Sequence, residues 1–367
     1  MGCVLSLLRK LAANPFEQKS PRHGAITYNG LINQGSTCYL NTVLQCLCMT
    51  KDFRTAVENF QPGQNDSHQG RTDLLIQLQQ LFETLKETQG TTQGIIKSLG
   101  IKSVYKQQDA VEYYQKIVKA VGPPASQVFE GKMSNKSECV QSHIFQESCS
   151  FITIPLAIEC GDDELYKVVE GFEAFFKHSK LDEDNWLYCD ECDQKAESET
   201  WTEIEEIPTV LTLHLKRFYF DYTQMKHVKN HCSADIPSTL QVKDYKYDLY
   251  AVINHIGNQS GGHYNAVIKS FEDNLWYCFD DKSVMQTDGF PQSSQLPYLL
   301  MYKLQRAQGS WRSYALHKLK QPCVSLYYFC SFVRIFVGLF GIISICLYMP
   351  GILRSLRSRL CRLVRFL

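Results

Sequence analysis

Residues 30–47 contain a turn that leads into a helix, with a cysteine at the junction. Before Cys38 the segment is rich in glycine and small polar residues, and after it apolar residues recur with the spacing of one buried helix face. These apolar residues are Leu40, Val43, Leu44 and Leu47. The pattern predicts that Cys38 lies at a helix N-terminus.

Cys38 has two interpretations. The unpaired N–H groups and partial positive charge of a helix N-terminus favour a thiolate, and therefore a nucleophile. A free cysteine is also commonly a small buried hydrophobic residue, and Cys46 and Cys48 follow on the same helix. The segment alone does not decide, so partners for a nucleophile must come from elsewhere in the chain.

Length, charge and cysteine content narrow the class of protein. A chain of 367 residues can hold one large catalytic domain or two smaller ones. The formal net charge of zero provides no field that would attract nucleic acid, so we expect no nucleic-acid partner. The 15 cysteines are scattered and odd in number, unlike a short secreted disulfide framework, which predicts reduced thiols in the cytosol.

The N-terminus matches the pattern for N-myristoylation of Gly2, and Cys3 could accept a second acyl chain. A match this short also arises by chance, which is the interpretation that we favour by a small margin. Residues 1–25 are therefore an N-terminal segment that is only a candidate for lipidation.

Two carboxylates lie at the start of a later predicted helix. Asp109 and Glu112 are three residues apart and would share one helix face. They are either solvated charges that complement the helix dipole or a pair that binds a basic peptide. Their spacing fits both interpretations.

From residue 139 onward the alternation of apolar and polar residues predicts strands. Within this part, Cys189 and Cys192 form a CxxC pair, which is half of a tetrahedral zinc site. Cys139 and His143 are the nearest partners, but Ser142 occupies the position that a second CxxC thiol would need. The incomplete pattern favours a chain that requires no cofactor, and a structural zinc bound by these four residues is the alternative.

A predicted hairpin places a histidine at the start of its second strand. The run from Leu249 to Ile256 is followed by a glycine-rich turn, and alternation resumes at His263. A third strand ends at Asp280. The end of one strand in a meander lies beside the start of its antiparallel neighbour, so His263 and Asp280 can meet. A histidine in a strand and an aspartate at a strand end are each commonly structural. Together with an activated cysteine, they provide the groups that a Cys-His-Asp nucleophilic site requires.

Five blocks of this sequence resemble the ubiquitin-specific proteases, the papain-like deubiquitinases, and they occur in the family's order between about residues 28 and 305. The resemblance implies an α+β papain-like fold with thumb, palm and fingers in a catalytic domain of residues 26–306. The blocks are Gly30 to Gln45, Gln107 to Glu112, Leu213 to Phe218, Gly261 to Tyr264 and Trp276 to Asp281.

The resemblance also implies the roles of individual residues. Cys38 resembles the nucleophile, His263 the general base, and Asp280 the residue that orients the base. Asp281 could share this last role. Asn33 resembles the oxyanion donor, which would act with the backbone N–H of Cys38.

The implied partners are ubiquitin and ubiquitinated proteins. Asp109 and Glu112 resemble positions that bind the basic C-terminal tail of ubiquitin, and a glycine pair resembles the lining of the passage for its terminal glycines. The implied substrate-binding residues are Gln108, Asp109, Glu112, Gly261, Gly262 and Tyr264.

The resemblance ends near Leu304, and residues 307–367 form a hydrophobic and arginine-rich segment. A helix over its uncharged stretch, Ile335 to Leu353, would span about 28 Å, close to the hydrocarbon thickness of a bilayer. A buried core helix is the alternative, but the catalytic domain already looks complete. We therefore interpret this C-terminal helical segment as a candidate membrane anchor.

Two requirements constrain the orientation of this anchor in the membrane. The arginines after the segment predict a cytosolic tail by the positive-inside rule. Ubiquitin chemistry also requires a cytosolic catalytic domain, and one membrane crossing cannot satisfy both. A membrane hairpin or an interfacial helix would satisfy both, so we expect a cytoplasmic, membrane-associated protein that faces the cytosol.

The leading interpretation is a deubiquitinating thiol protease that uses a Cys-His-Asp mechanism. A catalytically silent ubiquitin-binding membrane scaffold is one alternative, although pseudoenzymes usually lose a triad member and all three are present here. A thiol protease for a ubiquitin-like modifier is the other alternative. It would be favoured if Asp109 and Glu112 do not meet a basic tail.

Overall fold

The computed structural model describes residues 26–62, 69–161, 164–223, 225–258 and 261–305. The lipidation candidate, residues 1–25, and the membrane-anchor candidate, residues 307–367, lie outside the described residues. Both therefore stay predictions. Among the described residues, no helix combines the length and the apolar character that a membrane crossing needs.

The first part of the described chain is helical. Helix α1 is buried along its whole length, and not on one face only as its apolar spacing predicts. Its polar residues tolerate burial because Asn41 donates to Asp281 Oδ1 at 2.9 Å and Gln45 donates to Asn29 O at 3.1 Å. The helices are α1 (Cys38–Cys48), α2 (Lys51–Glu58), α3 (Gln69–Glu87), α4 (Gln93–Ser98), α5 (Ala110–Val121) and α6 (Val168–Phe175).

The remainder of the described chain is mostly strands. The first nine are β1 (Gly131–Cys139), β2 (Ile144–Phe151), β3 (Ile154–Ala157), β4 (Leu165–Lys167), β5 (Ser179–Lys180), β6 (Leu187–Cys189), β7 (Gln194–Ala196), β8 (Ser198–Glu206) and β9 (Val210–Lys216). The others are β10 (Phe218–Asp221), β11 (Lys226–Lys229), β12 (Ser233–Asp235), β13 (Thr239–Val242), β14 (Tyr245–Asn258), β15 (Gly261–Lys269), β16 (Trp276–Asp280), β17 (Ser283–Thr287), β18 (Ser293–Ser294) and β19 (Pro297–Leu304).

The largest sheet has eight strands, in the order β17-β16-β15-β14-β19-β9-β3, with β13 paired to β14. The predicted hairpin is confirmed, because β14 pairs with β15 out to Asn258 and Gly261. The predicted third strand is also confirmed as β16, which pairs with β15 from Ala266 to Lys269. Together with the helices, this sheet gives the α+β fold that we predicted.

Both faces of the large sheet are buried. Successive residues of a strand point to opposite faces of a sheet, so neighbouring residues of β14 show what covers each face. On β14, Ala251 and Ile253 belong to the core that includes the residues of α1 and α5. Val252, between them, packs in a second core with Phe172 of α6. The sheet therefore separates two hydrophobic cores, and α1 lies on the side that carries the site.

A separate four-stranded sheet has the order β2-β1-β8-β5. Its edge strand β2 is exposed at every position except the terminal Phe151. A sheet with so little apolar burial needs support from elsewhere. Part of that support comes from Met133 and Phe151, which belong to the second core, and part comes from the end of β1, where Cys139 joins a small buried cluster with Cys189 and Ala196.

One pair of cysteines differs from the expectation of reduced thiols. Cys160 and Cys232 form a disulfide, with Cα atoms 6.4 Å apart and a sequence separation of 72 residues. Composition and spacing contain no signal for this pairing, because it depends on how the β3–β4 and β11–β12 connections meet. The other cysteines among the described residues are free.

Candidate active site

The turn before α1 is held by the side chain of Asn33. Its Oδ1 atom accepts hydrogen bonds from the backbone N–H groups of Gly35 and Thr37, at 3.0 and 3.1 Å. Gly35 has a φ of 145°, which glycine adopts far more readily than other residues. The turn makes Cys38 the first residue of α1, at the positive end of the helix dipole.

The imidazole of His263 interacts with both Asp280 and Cys38. His263 is near the start of β15, and its Nε2 atom is 2.5 Å from Oδ1 of Asp280, the last residue of β16. Because Nε2 faces the carboxylate, the other ring nitrogen is the one that can serve Cys38, which interacts with His263. The structure thus brings together a thiol, an imidazole and a carboxylate from three elements.

The surroundings of His263 favour its charged form. Burial disfavours the imidazolium, but the hydrogen bonds to Asp280 and Cys38 outweigh it and raise the pKa of His263 to about 10. The site therefore favours an imidazolium at neutral pH, in contact with Cys38, before any substrate binds.

The two adjacent carboxylates at the end of β16 have different partners. Asp280 pairs with His263, whereas Asp281 accepts hydrogen bonds from Nδ2 of Asn33 and Nδ2 of Asn41, both at 2.9 Å. Asp281 has a φ of 50°, so the chain turns between the two side chains. Asp281 therefore orients Asn33. Its carboxylate also lies within 4.8 Å of the His263 nitrogen and the Asp280 oxygen, so the role shared with Asp280 stays a prediction.

The turn that carries Asn33 also contacts the end of β16 through its backbone. Leu31 N donates to Asp281 O at 2.8 Å. A Cβ atom at Gly30 would lie 2.4 Å from the same oxygen, so this approach requires glycine. These contacts join the nucleophile's turn directly to the strand that carries Asp280.

Gln107 is a site residue that was not among the predicted ones. Its Oε1 atom accepts from Gly262 N at 2.9 Å, and its Nε2 atom donates to Gly262 O. Gly262 immediately precedes His263. Gln108, the neighbour that we had predicted to bind substrate, is half-buried. Gln107 and Asn41 both lie within the family blocks, and that membership was the signal that could have identified them.

Asp109 and Glu112 differ in their surroundings. Asp109 caps α5, because its Oδ1 atom accepts from Val111 N at 2.7 Å and from Glu112 N at 2.9 Å. Its second oxygen accepts a hydrogen bond from the hydroxyl of Tyr298. Glu112 is exposed. Asp109 is therefore a helix cap with both carboxylate oxygens hydrogen-bonded, whereas Glu112 is open to a partner.

The glycine pair begins β15, and Gly262 has no room for a side chain. A Cβ atom there would lie 2.2 Å from Nε2 of His255. Tyr264 is buried, and its ring centre is 4.8 Å from that of His255. Burial lowers the pKa of His255 to about 3, so this imidazole is neutral. Gly261 is exposed, whereas Tyr264 forms a buried support behind the strand.

The four candidate zinc ligands lie together away from this site. The ligand atoms of Cys139, His143, Cys189 and Cys192 are all within 4.8 Å of one another. Nδ1 of His143 lies 3.6, 3.5 and 3.3 Å from the sulfurs of Cys139, Cys189 and Cys192. The sulfurs of Cys139 and Cys192 are 3.9 Å apart.

These separations fit a zinc ion. Tetrahedral bonds of about 2.3 Å to sulfur and about 2.0 Å to nitrogen would place ligand atoms roughly 3.5–3.8 Å apart. Ser142 has a φ of 62°, and this turn lets His143 complete the set instead of a fourth cysteine. Three thiols and one imidazole are also ligands that zinc prefers.

Comparison with known proteins gives consistent matches. Residues 29–302 match the family model described as ubiquitin carboxyl-terminal hydrolase. The chain is 27% identical over 398 residues to "Ubiquitin carboxyl-terminal hydrolase 47" of Drosophila melanogaster, and the match covers 78% of this chain. It is also 27% identical over 306 residues to "Ubiquitin carboxyl-terminal hydrolase 48" of Danio rerio, covering 74% of this chain. The matches span only 25% and 28% of those relatives' own lengths.

Proposed function

The chain belongs to the ubiquitin carboxyl-terminal hydrolase family, and from this premise we propose that it is a cysteine-type deubiquitinase. It would hydrolyse the peptide or isopeptide bond after the C-terminal glycine of ubiquitin. The observation that carries the proposal is the Nε2–Oδ1 distance of 2.5 Å between His263 and Asp280, with Cys38 interacting with the same imidazole.

In the acylation step, the Cys38 thiolate attacks the carbonyl carbon of the terminal glycine and a C–S bond forms. The imidazolium of His263 gives its proton to the leaving lysine amine as the C–N bond breaks. A thioester, a free amine and a neutral imidazole result. Asp280 keeps the ring oriented and stabilises its charged form throughout.

In the deacylation step, water attacks the thioester carbonyl while His263 accepts one of its protons. The C–S bond breaks, ubiquitin leaves with a free C-terminal carboxyl group, and the thiolate–imidazolium pair is restored. One imidazole nitrogen therefore acts first as an acid and then as a base.

Asn33 is the proposed oxyanion donor, together with the backbone N–H of Cys38. The amide of Asn33 is anchored on both sides, by the turn at Oδ1 and by Asp281 at Nδ2. An Nδ2 group has a second hydrogen that could point at the developing oxyanion. Such a donor is worth on the order of 10²–10³ in kcat.

Ubiquitin and ubiquitinated proteins are the proposed partners. Glu112 is the better candidate to bind the basic tail, because it is exposed and Asp109 already caps α5. Gly261 would line the passage for the terminal glycines. Gln108 and the buried Tyr264 would contribute at its sides.

The finer fold and the metal are also proposals. We propose a papain-like arrangement in which the α1–α5 region, the large sheet and the four-stranded sheet correspond to the thumb, palm and fingers. A structural zinc held by Cys139, His143, Cys189 and Cys192 would tie the end of β1 to the β6–β7 turn.

Membrane attachment through residues 307–367, on the cytosolic side, is proposed from the sequence alone. Cell fractionation of the full chain and of a chain ending at Arg306 tests it. Equal membrane shares for the two chains would contradict the proposal.

One labelling experiment tests the catalytic proposal against its alternatives. We expect ubiquitin that carries a C-terminal electrophile to attach covalently to Cys38, whereas probes made from ubiquitin-like modifiers react far more slowly. A silent scaffold would bind the ubiquitin probe without a covalent bond. A protease for another modifier would prefer that modifier's probe.

A further inference from the structure

The nucleophile and the base lie on different elements, so their alignment depends on the contacts between those elements. Cys38 is on α1 and His263 is on β15. Asp280 orients the imidazole from the β16 side. The position of the β15 backbone relative to the α1 turn needs a separate restraint.

The start of β15 has one open edge. Strand β14 pairs with it as far as Gly261, but β16 pairs with it only from Ala266 onward. At Gly262 the amide of Gln107 occupies the open edge, where it accepts from the backbone N–H at 2.9 Å and donates to the backbone carbonyl. A side chain thus takes the place of a neighbouring strand one residue before His263.

The segment that carries Gln107 also contacts the nucleophile's turn. Ser36 N donates to Val104 O at 2.7 Å. A Cβ atom at Gly35 would lie 3.0 Å from the ring of Tyr105, so the two pack closely. At its other end the segment is fixed by the capping of α5. It therefore spans from the residues just before Cys38 to the residue just before His263.

We propose that Gln107 is a positioning residue, which holds the backbone of Gly262 and thereby sets the distance between His263 and Cys38. The proposal rests on the proposed thiol protease function and deepens it. An amide presents a donor and an acceptor side by side, which this pair of backbone groups requires. Glutamate would present two acceptors at neutral pH, and leucine would present neither group.

The expected consequence is a loss in catalysis without a comparable loss in ubiquitin binding. A misplaced base typically costs roughly 10- to 100-fold in rate. For Gln107→Leu we therefore expect kcat to fall by about this factor, while KM changes by less than about threefold. Gln107→Glu, which keeps the side-chain length but lacks the donor, is expected to lose at least as much.

The matched control is Gln115→Leu on α5, which removes an amide bonded to Thr153 Oγ1 at 2.6 Å. We expect its kcat and KM to equal those of the wild type. The unfolding midpoints of the Gln107 and Gln115 variants should be similar, which would exclude a general loss of folding.

A second measurement does not depend on ubiquitin. The rate of alkylation of Cys38 by iodoacetamide, followed by mass spectrometry across pH, reports its thiolate. In Gln107→Leu we expect slower alkylation than in the wild type near neutral pH, and therefore a shifted rate profile, because His263 is no longer held at its wild-type distance from Cys38.

The outcomes separate the two proposals. An unchanged alkylation profile with normal kcat in Gln107→Leu would overturn the positioning role and leave the deubiquitinase proposal intact. If Gln107→Leu shows a shifted profile and the wild-type protein never cleaves ubiquitin, the positioning role would be supported and the deubiquitinase function would be rejected. If the unfolding midpoint of Gln107→Leu lies far below that of Gln115→Leu and its alkylation profile is not shifted, Gln107 has only a structural role.

Discussion

Two clusters in this protein each bring cysteine and histidine together from distant parts of the chain. At the start of α1, one thiol meets one imidazole, and a carboxylate holds the far nitrogen of that ring. At the end of β1, three thiols surround a single nitrogen of His143. The residue types overlap, but the stoichiometry and the partner of the imidazole differ.

This difference explains the separate chemistry that we propose for the two clusters. The Asp280 carboxylate raises the pKa of His263, so the ring can store a proton for a leaving group. The ring of His143 faces three sulfurs. Its nitrogen can therefore serve as the fourth ligand of a cation, at separations between ligand atoms that fit a tetrahedron. The groups that contact the imidazole therefore distinguish a nucleophilic site from a metal site, since both clusters contain an imidazole.

The largest expected effect comes from removing the single thiol. Cys38→Ala should lower turnover of a ubiquitin substrate by a factor on the order of 10⁵, because the covalent step is lost. Ubiquitin affinity should survive, which calorimetry or fluorescence binding would measure. Cys46→Ala, on the same helix, is the control, since burial raises the pKa of Cys46 far above its usual range and no base faces it. Cleavage by Cys38→Ala would refute the assignment.

The sequence was sufficient to predict that the side chains of Cys38, His263 and Asp280 come together. A cysteine at a predicted helix start, with a histidine and an aspartate at adjoining strand ends, has few alternative uses in combination. The hairpin and the third strand followed from alternation and a glycine-rich turn, and both are confirmed. Local patterns therefore predicted these elements, and the family resemblance predicted the α+β class.

Such local patterns did not predict the contacts between elements. The different partners of Asp280 and Asp281 depend on a turn with a φ of 50° at Asp281. The bond from Gln107 to Gly262 depends on an open sheet edge 155 residues away. The nearness of His143 to three sulfurs depends on the turn at Ser142. Each is set by tertiary geometry, so spacing along the chain does not reveal it.

Removing the carboxylate tests the distinction between the clusters directly. Asp280→Asn should lower kcat by a factor on the order of 10²–10⁴, because the ring loses its orientation and its stabilised charge. The pKa of His263 should fall from about 10 toward its ordinary value. An unchanged pH–rate profile in the variant would show that the carboxylate does not govern the imidazole.

The same variant has a predictable pH dependence of stability. Because folding raises the pKa of His263 to about 10, its contribution is fully present below the unfolded value and is lost as the pH rises through the folded one. The free energy of unfolding should therefore decline for the wild type between about pH 6.5 and 10. Urea unfolding of both proteins over this range should show a weaker decline in Asp280→Asn.

Zinc removal should affect stability more than chemistry. We expect Cys192→Ser, or chelation of the wild type, to lower the unfolding midpoint by roughly 5–10 °C, which corresponds to a few kcal/mol. Metal analysis should find zinc in the wild type and little in the variant. Cys149→Ser is the control, because this exposed free thiol lies on the same sheet outside the cluster. Equal midpoints for the two variants would contradict a structural metal.

The smallest expected effect comes from exchanging the imidazole for a thiol in the metal cluster. In His143→Cys, four thiols would still suit zinc, so we expect retained metal and a midpoint within about 2 °C of the wild type. The matched change His263→Cys should abolish turnover, because a thiol does not form the cation that imidazole forms near neutral pH and so cannot act first as an acid and then as a base. If His143→Cys instead loses its zinc, the imidazole of that cluster is more than an interchangeable ligand. The contrast between the two clusters would then lie in their geometry and not in their ligand chemistry.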